Sequence, residues 1–108
     1  MEINPQVVID GLIDQLTHVV LHAPAVEKLR QERQEDRFSR SGYQLLGAIT
    51  DGPAKLDFLC EITLQGEKPH PSFPVKVLGQ AARDGARWQI TEIHDVEVDR
   101  AGSSPRMP

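Results

Sequence analysis

Several residues in this chain have the types and spacing to do chemistry. Glu92 and His94 lie in a segment that begins with Trp88 and Ile90 on one face. If strict alternation continues, Glu92, His94, Val96 and Val98 share that face and Ile93 points away. An acid and an imidazole on an apolar, concave surface would form a pocket with a shifted histidine pKa, with Cys60 nearby and Trp88 or Tyr43 as walls. The alternative is a β-bulge near Glu92 and Ile93 that switches the face, or a pair at the open end of a sheet where water reaches it. Asp14, His18 and His22 stand at i, i+4 and i+8, one stripe of a helix, and two histidines four apart can share a metal ion. His18 is flanked by Thr17 and Val19 rather than by the glutamate of a zincin, so a third strong ligand would have to come from elsewhere. The alternative is a solvated polar face whose last histidine is favoured by the helix dipole. Cys60 would need a cationic neighbour such as His94 to become a thiolate nucleophile. Otherwise it is a small hydrophobe in an apolar strand. No resident metal or cofactor is expected.

Lys28, Arg30, Arg33, Arg37 and Arg40 form the one basic cluster, nearly cancelled by Glu27, Glu32, Glu35 and Asp36. Such a mixture reads as a solvated helix face, or as a partner-binding helix with Leu29 and Phe38 as anchors and Arg33 and Arg37 as polar contacts. The segment from Gly66 to Ser72, stiffened by Pro69 and Pro71 around His70, is either a pre-organised binding loop or a plain connection. No phosphate-cradling glycine loop, Gly-x-Ser-x-Gly or Ser/His/Asp set is present in the sequence.

The elements that must position these residues follow from periodicity. Asn4 is a good N-cap and Pro5 fits the first helical position. Ile9, Leu12, Ile13, Leu16, Val19 and Val20 then recur at helical spacing until Ala23-Pro24 stops the helix. Ala25 to Arg40 is rich in strong helix formers and predicts a second, mostly exposed helix that fades by Ser39 to Gly42. After Gly42 the period changes to two. Strands are predicted over 43–50, 56–65, 73–83 and 87–98, with turns at Asp51-Gly52-Pro53 and Asp84-Gly85. Residues 101–108 contain nothing that would build a core and are expected to form a disordered tail on a single domain of residues 1–100. There is no internal repeat.

Composition bounds the function classes. At 108 residues the chain makes one domain, and 39% hydrophobic residues suffice for one small core. A net charge of −4 without a basic face argues against nucleic acid as a partner. No stretch approaches the ~20 apolar residues that span a bilayer, so no membrane role is expected. A single cysteine cannot form an internal disulfide, and with no leader pattern at the start it points to a reducing compartment, the cytoplasm.

Helices followed by an antiparallel meander predict an α+β domain, with one or two N-terminal helices packed on a four-stranded antiparallel sheet. The run Asp84-Gly85-Ala86-Arg87-Trp88-Gln89-Ile90-Thr91-Glu92-Ile93-His94 resembles the terminal hairpin of NTF2-like domains, part of the cystatin-like group. It covers about a tenth of the chain, and the group more often places about three helices before its sheet. The resemblance implies a bent sheet whose concave face holds a small, hydrophobic ligand and a tendency to dimerise through the sheet. It carries over no catalytic residue.

The function expected from these residues is a small, non-catalytic binding module acting through a protein partner or as a homodimer. One alternative is an NTF2-like ligand binder or enzyme with its pocket at Glu92 and His94. Another is a phage or mobile-element accessory protein that blocks a host protein.

Overall fold

The computed structural model describes residues 3–67 and 70–98. The expected tail at 101–108, and residues 68 and 69 of the proline loop, lie outside the described residues. The first helix, α1, spans Pro5–Leu21. The Asn4 side-chain oxygen accepts from the backbone N–H of Gln6 at 3.0 Å and of Val7 at 3.4 Å, satisfying two donors that the first turn leaves open. Val8, Ile9, Leu12, Ile13, Leu16 and Val20 form its buried stripe.

The second helix, α2, spans Pro24–Arg33. Pro24 thus ends one helix and opens the next, since its missing N–H costs nothing at a first turn. The helix stops seven residues earlier than Arg40. Gln34 takes a left-handed conformation, φ 57°, and its N–H is donated back to Gln31. The chain then turns so that Phe38 enters the core, where its ring meets Phe73 edge-on at 4.9 Å. Residues 38–40 are strand, because burying a phenylalanine outweighs the modest helix preference of Glu, Gln and Arg.

Four strands follow: β1 Phe38–Thr50, β2 Lys55–Gly66, β3 Phe73–Asp84 and β4 Arg87–Val98. They pair antiparallel in chain order, so β1 and β4 are the edges. The last hairpin closes on Gly85-Ala86, one residue beyond the predicted pair, with Asp84 opposite Arg87. Gly85 has φ 66° and Ala86 does not share the positive sign, the pattern of a type II′ turn.

The inner strands pair with each other without interruption. Each edge strand carries two bulges. Ser41 and Leu46 are the extra residues in β1, and Thr91 and His94 in β4. Two of these donate a side-chain hydroxyl to the neighbouring strand: Ser41 to the Thr63 carbonyl at 3.4 Å, Thr91 to the Gln80 carbonyl at 3.1 Å. Bulges bend and twist the strand that contains them. Both edges accordingly come closer to α1 than the middle of the sheet does, so the sheet curls round the helix.

The concave face holds the core. Leu56, Phe58, Cys60, Ile62 and Leu64 of β2 and Phe73, Val75, Val77 and Ala81 of β3 are buried against α1, Val26 and Leu29. Gly79 faces the same way, and a Cβ there would stand 2.9 Å from the Phe58 ring and 2.8 Å from the Glu92 carbonyl. The ring of Phe58 fills the space a side chain would need. The architecture is the expected α+β domain, two helices on one face of a four-stranded antiparallel sheet. Among the described residues, no helix is long and apolar enough to cross a membrane.

Candidate binding surface

The structure separates most of the residues that the sequence grouped. The bulges at Thr91 and His94 keep Trp88, Ile90, Ile93, Val96 and Val98 packed against the core. Glu92 and His94 are left outside, 3.4 Å apart, with side chains 61% and 42% exposed. Across the sheet, Cys60 is in register with Val77, and Val77 with Val96, so neither Glu92 nor His94 shares its row. Cys60 is fully buried, and that burial pushes its thiol up from 9.0 to about 11, the opposite of what a nucleophile needs. Tyr43 and Trp88 sit on opposite edge strands and do not wall one cavity. Trp88 instead lines a shallow dent of about 260 Å³ with Val7, Gly11 and Arg87.

The helix stripe is also divided. Asp14 accepts from the Arg40 guanidinium at 3.1 Å, while the His18 and His22 rings meet edge-on at 4.4 Å. Among the described residues, no three His, Cys, Asp or Glu side chains are placed to hold one metal ion.

Leu29 and Phe38 are buried, so they are core residues rather than exposed anchors. Arg33 is committed inside the fold: it donates to the Pro71 carbonyl at 2.9 Å and lies over the Phe73 ring. Arg37 is exposed at the rim of an open cleft of about 700 Å³, with His22, Asp36 and Glu67. Arg30, also at that cleft, is taken up by a two-point pair with Glu27, at 2.6 and 3.2 Å, and by the Glu35 carbonyl. The bond to Arg30 holds the Glu27 carboxyl below its usual range. The buried Glu35 carboxylate accepts from the Glu67 N–H at 3.1 Å, tying the end of α2 to the β2–β3 connection.

A polar seam joins α1 to β1. The Tyr43 hydroxyl donates to Asp10 at 2.8 Å, and the Gln6 amide donates to the same oxygen at 2.9 Å. These bonds, Tyr43 first, lower the Asp10 pKa, and the bond to Asp10 raises that of Tyr43. Arg40 donates to Thr17 at 2.8 Å as well as to Asp14. The seam holds helix to sheet across water-exposed ground, and every member has its partner within the fold.

What remains open is the outer, convex face of the sheet, which neither helix covers. A half-exposed antiparallel sheet ordinarily turns polar residues outward. Here one cross-strand row reads Gly47, Leu59, Leu78 and Asp95. Ile49, next along β1, is 71% exposed, Leu78 44%, and Leu46, pushed out by its bulge, 39%. Ile49, Leu59 and Leu78, with Gly47 and Ala48, line a shallow apolar groove of about 400 Å³ across β1, β2 and β3. Sequence reasoning passed over this patch, although a signal was present. Leu59 between Phe58 and Cys60, and Leu78 after Val77, put leucine where the alternation calls for a polar residue.

No family model matches the chain, and neither a curated protein nor a solved structure does.

Proposed function

We propose that this protein is a non-catalytic binding module whose contact surface is the outer face of its sheet. The observation that carries this reading is the apolar groove of Ile49, Leu59 and Leu78, open to solvent on the side away from the helices. Contiguous exposed apolar surface with a polar rim is characteristic of protein contact sites. The candidate chemical groups point the same way: a buried neutral thiol, an exposed Glu92–His94 pair and an Asp14 already engaged by Arg40 do not converge on a reacting centre. A free thiol sealed in the core suits a reducing compartment, which supports a cytoplasmic setting. The order of helices then a curled meander supports an architectural likeness to the cystatin-like group.

Site-specific photo-crosslinking in the source cell tests the reading. A photoreactive phenylalanine in place of Leu78 is expected to capture a discrete protein, either a partner or a second copy. The same group in place of Gln15, exposed on α1, is expected to capture none. Equal capture from both positions, or none from Leu78, would overturn it.

A further inference from the structure

Charge on the outer face narrows what can cover it. Reading the rows outward from the groove, Ile49 is in register with Asp57, Gln80 and Glu92, and Gln44 with Glu61, Lys76 and Glu97. Asp95 ends the apolar row itself, and Lys55 opens the row beyond Ile49. These rows therefore carry five carboxylates, Asp57, Glu61, Glu92, Asp95 and Glu97, against two lysines, Lys55 and Lys76, and the His94 imidazole that pairs with Glu92 at 3.4 Å. Three of the five follow one another along β4, beside the leucines. Two such faces stacked on each other would bring like charge to like charge around a shared apolar centre, which costs affinity. A basic surface would find both parts complementary.

We infer that the outer face takes a cationic amphipathic segment of another protein, with aliphatic side chains in the Leu59–Leu78 groove and Lys or Arg over the carboxylates of β4. This rests on the reading of that face as the binding surface. It adds the chemistry of the partner and sets aside a second copy of the chain.

The test uses the full chain and a defined probe, a short fluorescent peptide of alternating leucine and lysine, with its leucine–glutamate counterpart as reference. Anisotropy is expected to show saturable binding of the lysine peptide alone. That binding should weaken with salt, as the screening length falls from about 10 Å at 0.1 M to about 3 Å at 1 M. Leu78→Ser and Ile49→Ser, both at exposed positions, are each expected to weaken binding about tenfold, as is the combined change Glu92→Gln, Asp95→Asn, Glu97→Gln. Asp14→Asn, Glu32→Gln and Asp36→Asn together make the same change in net charge away from this face and should leave binding within about twofold. Circular dichroism and melting confirm that each variant is folded.

Equal weakening by the two charge sets would reduce the effect to general attraction and overturn the inference, as would indifference to the serine variants or equal binding of the glutamate peptide. A wild-type dimer in sedimentation velocity that Leu78→Ser takes apart would also overturn it, with a second copy as the occupant and the binding-surface reading intact. No peptide binding together with no crosslink from position 78 would bring down both.

Discussion

Cys60 and Tyr43 show how environment decides what a reactive side chain can do. The Cys60 thiol has no water around it, so its anion is disfavoured and its pKa rises from 9.0 to about 11. The unfolded thiol ionises first as pH rises, so unfolding releases a proton in this range. The stabilising effect of the buried neutral thiol is complete below pH 9 and lost between 9 and about 11. Alkylation of the native protein at neutral pH is expected to be slow and to become fast on unfolding in denaturant, and rapid labelling of the folded chain would contradict the burial. At the seam, Tyr43→Phe removes the bond that lowers Asp10 most. NMR titration should find the Asp10 pKa raised toward the ordinary carboxylate value in that variant, with Gln6 still holding it partly down. Asp10 and Tyr43 are thirty-three positions apart, and nothing in the local sequence of either marks the pair.

Among the elements, α2 and β1 meet in a way that helix propensity does not govern. Charged helix formers continue past Arg33, yet the strand has begun by Phe38. The deciding term is tertiary: Phe38 fills the core beside Phe73, and Glu35 anchors the β2–β3 connection. Phe38→Ala is therefore expected to cost about 3–5 kcal/mol in urea unfolding, as for a core phenylalanine, instead of leaving the fold intact as an interface anchor would. Arg40 joins two elements, donating to Thr17 and Asp14 of α1 from β1. It is partly exposed, and Arg40→Ala should cost about 1 kcal/mol in the same measurement. In the inner sheet, Gly79→Ala should cost about 1–3 kcal/mol, because the new methyl meets the Phe58 ring and the Glu92 backbone. The bulges of the edge strands were half legible. The spacing Trp88, Ile90, Ile93, Val96, Val98 already departs from strict alternation, but pairing with β3 is what fixes the extra residues as Thr91 and His94.

For the whole molecule, the sheet's curl sorts its residues into two surfaces with different tasks. The concave side encloses the helix and most of the large apolar side chains. The convex side keeps Ile49 and Leu78 exposed and out of the core, where they contribute little to folding. Serine at Ile49 or Leu78 is accordingly expected to shift thermal stability by no more than about 0.5 kcal/mol, while capture from this face falls away. A large loss of stability in either variant would return these residues to the core.

Taken by itself, the sequence determined the helix from Pro5, the four strands and their order, and the α+β class. These depend on local periodicity, caps and turn residues, which neighbours along the chain supply. Only the tertiary structure decided where α2 stops, that Leu29 and Phe38 are buried, that Glu92 and His94 face outward, and that Leu59 of β2 and Leu78 of β3 share one outward-facing row. Each of these depends on cross-strand register or on long-range packing, and a single bulge is enough to reverse which face a residue takes.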